Sequence, residues 1–348
     1  MKSFVTISWD EKSDSVLLID QTRLPLSCQI IQCRTVDRLI TAIRRLEVRG
    51  APALGIAGAY GVALASISIR ESNFPRYVHM VRASALNIGN ARPTAINLSW
   101  GVHRVLAMAE KHADSIEEYR QIALHEAQKV AEEDMAACHA LGDYGAALLP
   151  DTGTVLTHCN AGALACREWG TALGVVRSAV AAGKNISVIA CETRPLLQGA
   201  RLTSWELKRD EIPVTVIPDS AAAYLMRKEK IDCIIVGADR ITRDAVFNKV
   251  GTYMHALCAK SHEIPFYVAA PSSTFDSMHY ESEIEIEERE RDEVARISGH
   301  VIVPDGVPVR NPAFDATPFS LVTALITDHG IIKPASDWIQ IAEIHRII

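Results

Sequence analysis

The feature that most constrains the fold is an alternation of short β-rich runs with helical stretches between residues 154 and 269. The β-rich runs are Thr154–His158, Ile186–Cys191, Val214–Ile217, Cys233–Val236 and Phe266–Ala269. The helical stretches between them are Ala163–Ala182, Gly199–Arg209, Ala221–Lys228 and Lys249–His262. Strands and helices that alternate at this spacing predict βαβ units and therefore a parallel, doubly wound sheet.

The residues before this region follow a different pattern. Two alternating runs, Phe4–Ile7 and Val16–Ile19, flank a polar segment and predict a β-hairpin. Apolar residues then recur every three or four positions from Val36 to Leu46, which predicts an amphipathic helix. Further helices are expected at about 53–69, at Pro93 in a first helical turn, and from a Ser115-x-x-Glu118 capping box toward Leu149. Because Pro150–Gly153 interrupts the pattern, we predict a β-hairpin plus helical domain at 1–149 and a catalytic domain at 150–348.

Composition excludes several classes of protein. The 348 residues are 48% hydrophobic and 22% charged, which is typical of a globular protein rather than a disordered one. Asp plus Glu outnumber Lys plus Arg by 42 to 36, giving a net charge of −6 that argues against a nucleic-acid binder. The eight cysteines include no C-x-x-C pair, and the N-terminal residues MKSFVTISWDEK lack an apolar signal-peptide core. We therefore expect a cytoplasmic protein with reduced thiols.

One segment has the length of a membrane span. Gly50–Ile69 is twenty residues long and carries no charge. Only six of these residues are Leu, Ile or Val, and most of the others are Gly, Ala or Ser. Small residues at this density are typical of a closely packed buried helix, so we expect no contact with a membrane.

Side chains that could take part in catalysis or binding follow the predicted strands. His158-Cys159-Asn160 ends the first strand, and Gly237-Ala238-Asp239-Arg240 ends the fourth. Glu192–Pro195 and Gln198 follow the second strand, while Asn248 and Lys249 precede a helix. Doubly wound sheets bind ligands at the carboxyl ends of their strands, so these residues are the candidates for a site.

Cofactor motifs are not found in the sequence. Gly55, Gly58 and Gly61 lie three apart and do not form G-x-G-x-x-G, and Gly183-Lys184 lacks the preceding glycine of a P-loop. No pair of His or carboxylate residues at ligand spacing accompanies His158-Cys159, so no metal is expected. Acid–base chemistry without a cofactor remains, and the cations Arg49, Arg92 and Lys249 suggest a phosphorylated substrate.

Seven motifs resemble those of the methylthioribose-1-phosphate isomerase family. This family lies in a superfamily with the alpha, beta and delta regulatory subunits of the eukaryotic translation-initiation exchange factor. The motifs, which span almost the whole chain in order, are VRGAPALGIAGAY (48–60), RPTAINLSW (92–100), THCNAGALA (157–165), ETRPLLQGARLTSWEL (192–207), GADR (237–240), NKVGTY (248–253) and IPFYVAAPS (264–272).

The resemblance implies an N-terminal, largely helical domain, a C-terminal Rossmann-like domain and a homodimer. It also implies that the enzyme converts 5-methylthioribose 1-phosphate to 5-methylthioribulose 1-phosphate in methionine salvage, without metal or nucleotide. By the same resemblance Asp239 is the catalytic acid and Cys159 its partner thiol. The implied substrate-binding residues are Arg49, Gly50, Ala51, Arg92, Gln198, Asn248 and Lys249.

This chemistry makes two demands on the site. The phosphate on C1 locks the sugar ring, so an acid must protonate the ring oxygen, and Asp239 could do so only with a raised pKa. A thiolate at Cys159 would be favoured if a helix began just after it. Position 191 is Cys where Asp is expected in many bacterial isomerases. The C5 substituent therefore stays open, with 5-deoxyribose 1-phosphate or ribose 1,5-bisphosphate as alternative substrates. A non-catalytic regulatory subunit of the translation exchange factor is the alternative from another class.

Overall fold

A computed structural model describes residues 4–334 and divides the chain into two compact units. The first runs to His139 and includes Gly162–Gly174, and the second consists of Ala140–Ala161 together with the residues from Val175 onward. The domain boundary predicted at residue 150 stays a prediction. The return of Gly162–Gly174 to the first unit is a feature that no linear division of the chain would contain.

The first unit combines a small antiparallel sheet with helices. The strands, in the spatial order β1-β2-β3, are Ile7–Asp10 (β1), Ser15–Ile19 (β2) and Ile30–Cys33 (β3). The helices are Val36–Arg44 (α1), Ala51–Ser68 (α2), Phe74–Gly89 (α3), Ile96–His112 (α4) and, up to His139, Ile116–Ala146 (α5). The mostly helical character predicted for this part of the chain is confirmed.

Helix α2 shows why its sequence is so rich in small residues. A Cβ added at Gly58 would lie 2.4 Å from the carbonyl oxygen of Leu98 on α4, and one added at Gly101 would lie 2.1 Å from that of Gly55. The two helix backbones therefore cross at a distance that only glycine permits. By length and composition α2 is the one described helix that could span a membrane, but 78% of it is buried inside the protein. The expected closely packed core helix is confirmed.

Several local predictions in this unit were wrong in detail. The first strand begins at Ile7 rather than Phe4. Pro93 precedes the first turn of α4 instead of lying in it, because that helix begins at Ile96. The hydroxyl of Ser115 accepts the N–H of Glu118 as predicted, but the Glu118 carboxylate turns back to the N–H of Asp114.

The second unit is built on a central sheet with the spatial order β15-β14-β10-β7-β4-β5-β6, counted over the described residues. All neighbouring strands are parallel except β14 and β15. Its strands are Thr152–Thr157 (β4), Asn185–Cys191 (β5), Val214–Ile217 (β6), Cys233–Val236 (β7), Phe266–Ala269 (β10), Ala324–Thr327 (β14) and Gly330–Ile332 (β15). The predicted doubly wound parallel sheet is confirmed, and three of its five predicted strands have the predicted bounds.

Smaller strands and helices complete this unit. A second small sheet, in the order β13-β9-β8, comprises Arg240–Ile241 (β8), Ala245–Lys249 (β9) and Phe314–Pro318 (β13). A hairpin pairs Arg296–Ile297 (β11) with His300–Val301 (β12). The helices are Ala172–Ala181 (α6), Ser204–Arg209 (α7), Ala222–Lys228 (α8), Thr252–Ser261 (α9) and Arg291–Ala295 (α10). The hairpin and the small sheet were not predicted.

From β4 the chain first adds strands on one side of β4 in the sheet and then returns to add strands on its other side. It runs outward through β5 and β6, then crosses back to β7 and continues to β10 and β14. Because parallel crossovers are right-handed, α6 and α8 cover opposite faces of the sheet. The core beneath α8 and α9 is apolar, with Met226, Ile234, Val268 and Ala256 all buried. The strand order therefore reverses between β4 and β7, which is the usual position of a ligand site.

Candidate active site

The two predicted catalytic residues follow the two strands between which the sheet order reverses. β4 and β7 are hydrogen-bonded neighbours, with Leu156 opposite Ile234. Cys159 comes two residues after the end of β4, and Asp239 comes three residues after the end of β7. The fold thus places both residues at the carboxyl ends of adjacent parallel strands.

Cys159 has an unusual backbone that side chains hold in place. Its φ is +66°, in the left-handed region, and its side chain is half-buried. A residue other than glycine pays about 1–2 kcal/mol for that conformation. The N–H of Cys159 donates to Oγ1 of Thr193 at 2.8 Å, and its carbonyl oxygen accepts Oγ1 of Thr203 at 2.7 Å. These two hydrogen bonds offset the strain, since each contributes about 1 kcal/mol.

The helix expected directly after Cys159 is not found in that place. The chain there forms only a 3₁₀ turn at Ala163–Ala165, and α6 begins at Ala172 rather than at Ala163. Because helix-dipole effects fade within a turn, the predicted helix would have to begin directly after Cys159 to stabilise its thiolate, and the described segment from Asn160 to Thr171 contains no such helix. This part of the sequence prediction was wrong.

The backbone of Asp239 forms a hydrogen bond with the main chain of another strand. Its N–H donates to the carbonyl oxygen of Phe247 at 2.9 Å, at the start of the β8–β9 pairing. The next residue, Arg240, lies 3.5 Å from the carboxylate of Asp276. Burial lowers the pKa of Arg240 from its ordinary value, although Asp276 opposes that shift. Asp239 itself is half-buried.

Three of the predicted binding residues lie in the same unit, and all three are buried. Gln198 is 6% exposed, and its Oε1 has no hydrogen-bond partner within residues 4–334. The Nζ of Lys249 donates to the carbonyl oxygen of Ala313 at 2.7 Å and lies 4.8 Å from the ring centre of Phe314. Asn248 precedes Lys249 on β9 and donates from Nδ2 to Thr252 at 3.0 Å. An unsatisfied buried acceptor such as that of Gln198 is expected where a ligand hydroxyl binds.

The other four predicted binding residues belong to the helical unit. Gly50 precedes α2 with φ +93°, and a Cβ there would lie 2.5 Å from Cα of Ala165, so no other residue fits. The N-terminus of α2 at Ala51 has no side-chain cap among the described residues and no acidic residue in its first turn. Arg49 precedes this helix end, and Arg92 lies between α3 and α4; both are half-buried. A positive helix end beside an arginine favours an anion.

A buried histidine pair lies beneath the Cys159 segment. Nε2 of His158 contacts the carbonyl oxygen of Val250 at 2.9 Å, and its Nδ1 contacts Nε2 of His255 at 3.2 Å. Burial lowers the pKa of His158 to about 4 and that of His255 to about 3, so both rings are neutral at neutral pH. His158 therefore donates to Val250 and accepts from His255, and it is a satisfied neighbour of Cys159 rather than a base.

The same pair defines the cluster in this unit with the best potential to bind a metal. Ligand atoms of His158, His255 and Cys191 lie within 4.8 Å of one another. However, the hydrogen bond between His158 and His255 already explains why these two rings lie so close together. Nδ1 of His255 is buried without a partner in the described chain, so a metal on Nε2 would leave an unsatisfied N–H there. Burial also raises the pKa of Cys191 well above its ordinary value, which disfavours its thiolate.

Some residues that shape the site were missed by the sequence analysis. Asp315 accepts the N–H groups of Gly251 at 2.6 Å and Tyr253 at 3.1 Å, and so caps the start of α9 beside Lys249. Burial raises the pKa of Asp315 to about 6. Thr193 and Thr203 occur inside a quoted motif, but nothing in their spacing indicated that they would reach Cys159. Only the pairing of β4 with β5 brings them there.

The fold and the site define an α/β protein of the Rossmann-like class, with reactive side chains at the switch point of its sheet. A model of the initiation factor 2 subunit family matches residues 47–334. The chain belongs to this family, which confirms the resemblance seen in its motifs.

Relatives and solved structures carry two kinds of name. A methylthioribose-1-phosphate isomerase of Heliobacterium modesticaldum is 51% identical over 332 residues, covering 94% of this chain and 96% of its own. The crystal structure of 5-methylthioribose 1-phosphate isomerase from Pyrococcus horikoshii matches with a TM-score of 0.90 at 39% identity, over 99% and 96% of the two chains. The crystal structure of translation initiation factor eIF-2B subunit delta from A. fulgidus matches with a TM-score of 0.88 at 50% identity, over 99% of both chains.

Proposed function

We propose that this protein is an aldose–ketose isomerase that converts 5-methylthioribose 1-phosphate to 5-methylthioribulose 1-phosphate, a step of methionine salvage. The observation that carries the proposal is the presence of Cys159 and Asp239 after adjacent strands at the switch point of the sheet. Its second support is the match to isomerases over nearly the full length of both chains.

The reaction needs an acid and a group that manages a proton, but no external oxidant. Asp239 protonates the ring oxygen as the bond from C1 to that oxygen breaks. The hydrogen on C2 then moves to C1 while the C2 hydroxyl loses its proton to the Asp239 carboxylate and becomes the carbonyl. C2 is oxidised as C1 is reduced, so the electrons balance within the substrate. In the proton-transfer route the Cys159 thiolate takes the hydrogen from C2 as a proton and returns it to C1. Hydride transfer from C2 to C1 is the alternative route.

The buried polar groups suit a sugar phosphate. The ammonium of Lys249, which donates to the carbonyl oxygen of Ala313, lies in a buried position, and a buried ammonium favours a dianion. Gln198 offers its unsatisfied Oε1 to a sugar hydroxyl. Asn248 would orient the substrate from the same strand as Lys249. Arg49, Gly50, Ala51 and Arg92 keep their predicted substrate-binding role as part of this proposal.

Phosphorus NMR of 5-methylthioribose 1-phosphate with purified protein and a chelator tests the reaction. We expect conversion to the ketose with the native protein and a loss of at least about 10³-fold with Cys159→Ser or Asp239→Asn. Cys258→Ser changes another half-buried cysteine, and Asp305→Asn changes an exposed aspartate; both should retain activity. No turnover by the folded native protein would contradict the proposal.

The second candidate function is a regulatory subunit that binds translation factors. The match to the A. fulgidus chain with that name favours it. Stoichiometric binding to an initiation factor, combined with no turnover of any pentose 1-phosphate, would establish this candidate instead. Running 5-deoxyribose 1-phosphate and ribose 1,5-bisphosphate beside the main substrate distinguishes the related isomerases by their kcat/KM.

The remaining properties follow from the same proposal. We propose a homodimer in the cytoplasm that has a phosphorylated pentose as its ligand and binds neither nucleic acid nor membrane. The homodimer is tested by light scattering, where a mass of one chain only would contradict it.

A further inference from the structure

We infer that Thr193 and Thr203 are positioning residues that clamp the Cys159 backbone and thereby fix the direction of its thiol. This inference rests on the proposed function, in which Cys159 handles the proton. In the hydrogen bonds described above, neither threonine bonds to Asp239 or to a proposed substrate-binding residue. Both act on the N–H and the carbonyl oxygen of one residue.

The orientation of the Thr193 hydroxyl is determined by its two partners. Its oxygen accepts the N–H of Cys159 at 2.8 Å, so its own hydrogen goes to the carbonyl oxygen of Cys191 at 3.0 Å. The backbone of Thr193 has φ +67°, and its N–H donates to the carboxylate of Asp219 at 2.7 Å. The side chain is completely buried. Thr193 therefore has no freedom to follow Cys159 if that residue moves.

Thr203 holds the other side of the residue in the same way. Its hydroxyl donates to the carbonyl oxygen of Cys159 at 2.7 Å and accepts Nδ2 of Asn160 at 3.2 Å. That amide also donates to Glu206 at 2.9 Å, and Glu206 forms a buried ion pair with Arg177 at 2.8 Å. The clamp is thus anchored in an ionic network rather than in a flexible surface group.

Thr203 lies in a π-helical turn, Gly199–Thr203, which leads into α7. Such turns are frequent at functional sites because they shift a side chain relative to a regular helix. Gly199 opens the turn, and a Cβ there would lie 1.7 Å from the carbonyl oxygen of Cys191. The turn is therefore packed directly against the strand end that carries Thr193. Both threonines are set in position by the same contact.

The role follows from what these hydrogen bonds restrain. A left-handed residue with a side chain relaxes to an ordinary φ unless its neighbours prevent it. Rotation of φ or ψ at Cys159 turns its Cα–Cβ bond and breaks one of the two threonine bonds. Two hydroxyls on one residue, from elements 34 and 44 positions away along the chain, thus preserve the direction of one thiol.

The test uses valine, which keeps the shape of threonine, and serine, which keeps its hydroxyl. For Thr193→Val and Thr203→Val we expect kcat to fall at least about tenfold, with KM changed less than about threefold. Thr193→Ser and Thr203→Ser should recover most of kcat. The matched control is Thr327→Val: Thr327 is also buried, but its hydroxyl donates to the carbonyl oxygen of Gly330 within the β14–β15 turn. It should leave kcat unchanged.

A second readout does not depend on turnover. In protein labelled with [¹⁵N]cysteine, the Cys159 amide signal is identified by its loss in Cys159→Ser, and its hydrogen exchange is then measured. We expect exchange to be at least about tenfold faster in Thr193→Val and unchanged in Thr193→Ser and Thr327→Val. This measurement decides whether the clamp exists even if 5-methylthioribose 1-phosphate is not turned over.

Four outcomes would overturn the inference. Equal losses of kcat with valine and serine would indicate a packing role, as would a loss shared by Thr327→Val. Unchanged amide exchange in Thr193→Val would show that the clamp is absent. A clamp confirmed by exchange in a protein that turns over no pentose phosphate would refute the proposed function, and with it the catalytic purpose of the clamp. If Thr193→Val fails to fold, Thr203→Val carries the kinetic test, because its hydroxyl bonds to the carbonyl oxygen of the same residue.

Discussion

The segments after β4 and β7 place the two proposed catalytic residues by different means. Side chains from distant positions hold the backbone of Cys159 on both sides, and φ there is +66°. The backbone of Asp239 is held by the carbonyl oxygen of Phe247 in an ordinary β8–β9 pairing. The first segment therefore depends on the identity of particular distant residues, whereas the second depends on a strand pairing that many sequences can form.

The difference suits the two roles. An acid that protonates a ring oxygen needs a suitable environment, and its carboxyl can rotate to present either oxygen. A thiol that must reach one hydrogen on C2 has a single reactive atom, so its direction has to be set by the backbone. If this comparison is correct, substitutions behind Cys159 should affect turnover and stability more than equivalent substitutions behind Asp239.

The largest effect is expected for Gly199→Ala. The new Cβ would lie 1.7 Å from the carbonyl oxygen of Cys191, so the end of β5 and with it Thr193 must move. We expect a loss of at least about 3 kcal/mol in the free energy of unfolding, measured by urea denaturation, and loss of turnover. The control is Gly183→Ala, which has φ +89° but no described atom within 4 Å of its Cβ. It should cost about 1 kcal/mol and retain activity. Similar losses in both would contradict the comparison.

Acid should destabilise the protein around Cys159 by protonating the buried pair of His158 and His255. The pKa of His158 is lowered to about 4 by burial, from 6.5 in the unfolded chain, so the unfolded state binds the proton first as the pH falls. Stability is therefore greatest above pH 6.5 and falls toward pH 4, by about 3 kcal/mol for this group. Chemical denaturation at several pH values measures it. His255→Phe removes the second titrating ring and should reduce the slope between pH 6.5 and 4; an unchanged slope would refute the assignment.

Asp315, on the strand β13 that pairs with β9, should give stability a pH dependence of the opposite sign. Burial raises the pKa of Asp315 to about 6, from 3.8 in the unfolded chain, so the folded state binds the proton first. Its contribution is most favourable below pH 4 and is lost as the pH rises through 6, by about 2 kcal/mol once partial exposure is considered. Relative to the native protein, Asp315→Asn should gain stability as the pH rises from 4 to 7. The exposed control Asp305→Asn should show no such trend, and a flat difference for Asp315→Asn would contradict the shift.

The sequence predicted the regular part of this fold better than the part that carries the chemistry. β6, β7 and β10 were predicted to the residue because buried parallel strands are short apolar runs between polar breaks. The start of α6 was misplaced because Ala163–Trp169 is helix-like in composition but belongs to the helical unit, where Gly162 and Gly170 form a bridge. Positions 159 and 239 came from motifs and from the strand-end rule. The threonines that hold Cys159 could not be predicted, because no local pattern encodes a contact across 34 or 44 residues.

The smallest effect is expected for Phe247→Leu, on the strand behind Asp239. Phe247 is buried, so the smaller side chain should reduce the free energy of unfolding by about 1 kcal/mol. Its carbonyl oxygen, which accepts the N–H of Asp239, is unchanged by the substitution. We therefore expect kcat within about twofold of the native value, in contrast to Thr193→Val, which alters a side chain of similar burial. Steady-state kinetics of the two variants side by side measure the contrast. If Phe247→Leu lowered kcat as much as Thr193→Val, both segments would depend equally on side-chain packing, because the main-chain bond to Asp239 would then not be sufficient to position it.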